Sequence, residues 1–238
     1  ILNLIRRDAG EISLLGYDNV REEQLAKQDI GLVLDECFFS DALRPLDVGK
    51  TLAPAYREWD QKLFRDYLGK FGLPEKKLIK EFSRGMKMKL SLSAALAHRP
   101  KLLILDEATA GLDPVVRDEI LDEFLGFIQD EDHAILMSSH ITSDLEKVAD
   151  YIAYIHQGQV VLSDAKDNIL DSYGRVGCTA AQLETIDPHD ILHTRRGSFG
   201  CEALVKDRTA FARKYPMLLV ERTTLEDIML FVGKGEVK

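Results

Sequence analysis

Lys101–Pro114, KLLILDEATAGLDP, is the stretch on which the reading of this chain turns. Four apolar residues, Leu102, Leu103, Ile104 and Leu105, run without a break into two acids, Asp106 and Glu107. A short continuous apolar run predicts a strand buried on both faces, as in a parallel sheet. The carboxyl ends of such strands are where open α/β sheets hold their ligands. Two adjacent carboxylates at that edge suit phosphate chemistry: one holds Mg²⁺, directly or through water, and the next orients a water for attack. A solvated acidic turn explains the same two residues, so the flanking sequence has to decide.

Upstream, Phe82-Ser83-Arg84-Gly85-Met86 opens a helical pattern in which Met86, Leu90, Ala94 and Ala97 recur three or four apart. Ser83 is a good N-cap, and a helix start carrying a serine and a glycine is ready to receive an anion. Downstream, Ala134–Met137 forms a second apolar strand that ends in Ser138-Ser139-His140. A lone histidine is most often structural. His140 becomes a catalytic candidate because it closes a strand that follows the acidic one.

In this order and spacing, over residues 1 to about 162, the motifs resemble those of ATP-binding cassette (ABC) ATPases. Ser83 and Gly85 match the serine and second glycine of the family's LSGGQ signature, with Phe82, Arg84 and Met86 replacing its Leu, first Gly and Gln. Asp106 fits the Walker B aspartate and Glu107 the catalytic glutamate. Ala110-Gly111-Leu112-Asp113 fits the D-loop, and His140 the switch histidine. The resemblance implies ATP and Mg²⁺ as cofactors, with Glu107 and His140 catalytic and Asp106 at the metal. It also implies that Ser83, Arg84, Gly85 and Met86 meet the nucleotide of a second subunit, and that Asp113 signals across that interface.

Two positions depart from the pattern. Strand Ile30–Leu34 ends in Asp35, where the family usually has a glutamine, the Q-loop position. Asp35, a hard oxygen ligand, is a second candidate for Mg²⁺, beside the ordinary reading of an acidic strand end. The phosphate loop G-x-x-x-x-G-K-[ST] is not found within these 238 residues. Ile1–Ile5 reads as the end of a helix and Ala9-Gly10-Glu11-Ile12 as the turn that follows that loop in the family, so the loop either lies ahead of these residues or is deleted. Gly49-Lys50-Thr51 imitates the loop's second half, but its first glycine would have to fall at Arg44. That segment is expected to start a helix instead.

The fold expected from the resemblance is α/β: a P-loop NTPase (RecA-like) core of ABC type, its N-terminal part missing. Residues 1–40 and 100–162 form that core and 41–99 an α-helical signature subdomain. Residues 163–238 form a small C-terminal α/β extension. Within 41–99, Tyr56, Trp59, Leu63, Phe64, Tyr67, Leu68 and Phe71 make an apolar stripe, and Gly72-Leu73-Pro74 a helix stop. Strands are also predicted at Glu11–Leu15, Cys201–Val205 and Leu218–Val220, and a hairpin over Tyr151–Leu162 turning at Gln157-Gly158. Helices are predicted at Val115–Gln129, Lys166–Ser172, Thr209–Lys214 and Leu225–Val232.

Composition sets bounds on function. Hydrophobic residues at 45% and charged ones at 30% describe a globular chain. A net charge of −9 argues against a nucleic-acid-binding face as the main function. No apolar run reaches the roughly 18 residues of a membrane span, so a transporter would need a separate transmembrane permease. Three scattered cysteines, Cys37, Cys178 and Cys201, suggest free thiols. The resemblance implies the ATPase subunit of an exporter-like transporter, a homodimer or heterodimer, cytoplasmic on the inner face of the membrane. Two other classes compete. A soluble ABC ATPase acting on ribosome or DNA usually has two cassettes or a long coiled coil, and neither appears. A non-hydrolysing regulatory module is favoured by the absent loop and by Asp35.

Overall fold

The computed structural model describes residues 1–197, 200–234 and 236–237. The chain divides into two compact units, Ile1–His140 and Ile141–Lys238.

The first unit is built on three parallel strands in the order β3 (Ile30–Val33), β4 (Leu102–Asp106), β5 (Ala134–Ser138). Before them come a two-residue hairpin, β1 (Ser13–Leu14) with β2 (Tyr17–Asp18), and a short helix α1 (Glu23–Gln28). The strand expected over Glu11–Leu15 shrinks to this hairpin because Leu15 and Gly16 both turn through positive φ, +52° and +89°. Ile1–Ile5, expected as the end of a helix, contains none. Asn3 takes φ +57° and its amide hydrogen-bonds Asn19, diverting the backbone from a helical path.

Helices α2 (Pro45–Leu52), α3 (Gln61–Lys70) and α4 (Arg84–Leu96) fill the segment between β3 and β4. Their start signals are local: Pro45 opens α2, the Asp60 carboxylate accepts from Leu63 N, and Ser83 Oγ accepts from Met86 N. Phe64, Leu68, Ile79, Leu90, Ala94 and Ala97 are buried together at the centre of these helices, with Trp59 at the margin. Gly49-Lys50-Thr51 occupies the closing turn of α2 rather than a helix start. Gly49 is needed there for packing, since a Cβ would come within 2.9 Å of the Phe64 ring.

Helix α5 (Pro114–Phe127) follows β4 and buries Ile120, Leu121 and Phe124. The β4 run is buried on one face only. Leu103 and Leu105 are sealed, whereas Leu102 and Ile104 are half-buried. Leu32 and Leu136 on the flanking strands remain 37% and 46% exposed. A continuous apolar run therefore overstated the burial: α4 packs against β3, and the alternate residues of the sheet retain access to solvent.

The second unit begins with α6 (Thr142–Val148) and a hairpin of β6 (Tyr151–His156) and β7 (Gln159–Ala165). Gln157 and Gly158 lie at φ +49° and +77°, which gives the two-residue turn the twist that its strands require. After α7 (Lys166–Ser172) come β8 (Gly174–Cys178), α8 (Ala180–Thr185), β9 (His193–Gly197), β10 (Gly200–Val205), α9 (Arg208–Lys214), β11 (Val220–Arg222), α10 (Leu225–Lys234) and β12 (Glu236–Val237). The strands form one antiparallel sheet in the order β11-β8-β10-β9-β12. The strand expected at Leu218–Val220 begins only at Val220, because Leu218 N is held in a turn by Tyr215 O. Among the described residues no helix is long and apolar enough to cross a membrane.

Candidate active site

Parallel pairing brings the motif residues to one edge. Val33 is opposite Leu105, and Asp106 opposite Ser138, so Asp35, Asp106-Glu107 and Ser138-Ser139-His140 all leave the same end of the sheet. Ser138 Oγ donates to Asp106 Oδ1. His140 Nδ1 stands 2.6 Å from Glu107 Oε2. A nitrogen facing a carboxylate at that distance donates, so Nδ1–H is directed at Glu107.

Glu107 is held from both sides. Its N–H donates to Ser138 O at 3.1 Å, and its carbonyl accepts from Ala110 N at 3.0 Å. Between these bonds its backbone sits at φ +51°, a left-handed conformation costly for a residue with a Cβ. Ala108 and Thr109, fully buried, anchor the turn beyond it. Gly111 follows at φ +67°, and Asp113 Oδ1 then accepts from Val116 N at 3.1 Å to cap α5. Asp113 is thus engaged within its own chain as an N-cap.

Ser83 caps α4 and Arg84, Gly85 and Met86 open it; the helix dipole favours an anion at this end, while the Met86 N–H is already taken by Ser83 Oγ. Gly85 is packed closely, since a Cβ there would meet Val116 Cγ1 at 3.0 Å and push that side chain aside by a few tenths of an ångström. Ion pairs Lys89–Glu119 and Lys70–Glu123 tie α4 and α3 to α5. Between the residues after β3 and the start of α4 lies an open cleft of about 360 Å³, lined by Asp35, Glu36, Cys37, Phe82, Arg84, Lys87 and Met88. Its charge is partly balanced inside the unit: Lys87 reaches Asp41 at 2.8 Å, and that hydrogen bond holds the lysine pKa above its ordinary value.

The structure joins Glu107 to His140 and Asp106 to Ser138 but gathers no ready-made metal cage. Among the described residues no three His, Cys, Asp or Glu side chains converge on one point. Such a donor set still fits Mg²⁺, which commonly takes one or two carboxylates and completes its shell with phosphate and water. The exposed carboxylates of Asp106 and Asp35 offer the hard oxygens. Sequence reasoning missed Ser138 as the partner of Asp106; its place at the end of the strand that leads to His140 was the available signal, and the register that pairs it with Asp106 appears only in the structure.

Residues 1–110 match the family model described as ABC transporter. Over that span the chain resembles the ATP-binding domains of ABC transporters. It is 33% identical over 189 residues to the linearmycin resistance ATP-binding protein LnrL of Bacillus subtilis (strain 168), covering 77% of this chain and 60% of that protein. Against the lantibiotic transport ATP-binding protein SrtF of Streptococcus pyogenes it is 43% identical over 102 residues, 42% of this chain and 44% of the relative. The chain thus spans about half the length of the curated relatives it matches. Among solved structures, one described as the ATP binding subunit of an ABC transporter superposes with a TM-score of 0.62 at 24% identity, covering 71% of this chain and 72% of that one. The fold is that of ABC nucleotide-binding domains, a P-loop NTPase architecture.

Proposed function

We propose that the protein is the ATP-binding and ATP-hydrolysing subunit of an ABC transporter. It works as a dimer on the inner face of a membrane, beneath a separate permease, in the direction of export. The observation that carries this reading is the 2.6 Å contact between Glu107 and His140, beside Asp106 on one sheet edge. The relatives named for linearmycin resistance and lantibiotic transport favour export. The helical segment 41–99 acts as the signature subdomain and 163–238 as the C-terminal extension.

In this reading Glu107 takes the proton of the attacking water, a role worth about 10²–10⁴-fold. His140 fixes the Glu107 carboxylate in one orientation through Nδ1–H. Asp106, steadied by Ser138, holds Mg²⁺, with Asp35 as a second oxygen donor. Bound Mg²⁺ supplies neutralisation of the charge that develops on the transferred phosphate. The start of α4, from Ser83 to Met86, meets the γ-phosphate held by the second subunit, the positive end of the helix dipole favouring the anion. Asp113 links the interface to α5.

The test is phosphate release by the full-length protein with MgATP, compared with Glu107→Gln. Turnover is expected to fall about 10²–10⁴-fold while ATP still drives dimers visible by light scattering. Near-normal turnover in Glu107→Gln removes Glu107 from its role. Omitting the divalent cation is expected to stop hydrolysis by the unmodified protein.

A further inference from the structure

Arg84 stands where the family signature has a glycine, and its side chain does not extend away from its own chain. A Cβ placed on Gly111 would lie 3.0 Å from Arg84 Nη1, 3.1 Å from Cζ and 3.3 Å from Nε, so the guanidinium fills the space that a side chain at position 111 would take. Nη2 also comes within 3.5 Å of the Asp35 carbonyl. One side chain therefore touches the start of α4, the 109–113 turn and the residue that ends the β3 segment.

The contact is shaped for a planar group. Gly111 has φ +67° and no Cβ, which leaves room beside it for the Arg84 guanidinium. A lysine carries the same charge as a point on a flexible stem and cannot fill that space with a planar fork. The neighbouring helix reinforces the arrangement. Gly85, the next residue, is close to Val116 on α5, so the start of α4 meets the turn at one end and the following helix at the other.

We infer that Arg84 is a positioning residue that braces the 109–113 turn from within its own chain, rather than a ligand for phosphate on a second subunit. The brace fixes the path by which Asp113 reaches its cap on α5 and couples that turn to Asp35. The brace itself is independent of the proposed ATPase activity; its effect on turnover rests on that reading.

Amide hydrogen exchange on the full-length protein separates the two roles. Ala110 N donates to Glu107 O and Leu112 N to Thr109 O, so both amides report the turn. Arg84→Ala and Arg84→Lys are each expected to speed exchange at these amides about tenfold, with Leu103 in β4 unchanged as the control for folding. Wild-type exchange in either variant overturns the brace. Phosphate release adds a second readout. A brace lowers kcat in both variants with little change in KM for ATP, whereas a phosphate ligand raises KM in Arg84→Ala and is rescued by Arg84→Lys. That second pattern also overturns the inference. If the unmodified protein does not hydrolyse ATP, the proposed function fails, and the exchange result still decides the brace.

Discussion

The two units use their sheets in opposite ways. In Ile1–His140 three parallel strands finish at one edge, and each delivers polar side chains there: Asp35, Asp106 with Glu107, and Ser138 with His140. In Ile141–Lys238 the antiparallel sheet sends alternate strands to alternate ends, so polar residues are dispersed. They are spent on local ties such as Arg175 to Glu221 and Asp227, and Lys214 to Asp190. Direction of pairing, more than composition, decides whether a sheet concentrates chemistry or spreads it.

If that contrast holds, damage to one unit should leave the other's signature intact. The largest effect is expected from Phe231→Ala. Phe231 on α10 is 1% exposed and packs with Ile152, Ile169, Leu204 and Ile228, so the variant should lose about 3–5 kcal/mol. Trp59, the only tryptophan, lies in the other unit and gives an independent probe. Urea unfolding followed by circular dichroism should show an early transition, with the Trp59 fluorescence midpoint unmoved. A joint shift would make the two units one cooperative block.

The converse experiment is His140→Ala, expected to cut phosphate release about 10²-fold with no change in either unfolding midpoint. A smaller effect sharpens the picture within the second unit. Thr179 Oγ1 accepts from Gln182 N while the Gln182 side chain accepts from Thr179 N, a reciprocal cap on α8. Thr179→Ala should cost about 1 kcal/mol by the same circular-dichroism melt.

The subtlest test is a slope against pH in the first unit. His98 is buried, its Nε2 donates to Ile30 O at 3.0 Å, and its ring stacks on Tyr56 at 3.9 Å. Burial lowers its pKa below the ordinary imidazole value of about 6.5. The unfolded chain then takes up the proton first. The histidine's contribution to stability is full above about pH 6.5 and is lost as pH falls through the lowered folded value. His98→Gln should flatten that decline in the Trp59 midpoint, and an unchanged slope would assign the decline to other groups.

Much of this was legible in the sequence where the signal is local. β3, β4, β5, α4 and α5 announce themselves by apolar runs, Ser83 by its capping chemistry, and the Gln157-Gly158 hairpin by its turn, whereas the cap that Asp113 makes on α5 was not read. β8 was not read because Gly174-Arg-Val-Gly-Cys contains two glycines and one branched apolar residue, a weak strand pattern. β9, His193–Gly197, contains two arginines and offers no apolar alternation. Within the site, strand ends could be placed in order but not in register, so the Glu107–His140 contact was implied only by resemblance. Nothing local connects Arg84 to Gly111; that meeting depends on how the start of α4 packs beside α5.

The left-handed backbone at Glu107 carries a practical consequence for directed evolution. Glu107→Gly would relieve a conformational cost of about 1–3 kcal/mol. A library sorted only for heat resistance would therefore enrich that replacement and, on the role proposed for Glu107, hand back sturdy but chemically silent proteins. Selection for durability and selection for work pull in opposite directions at this one peptide.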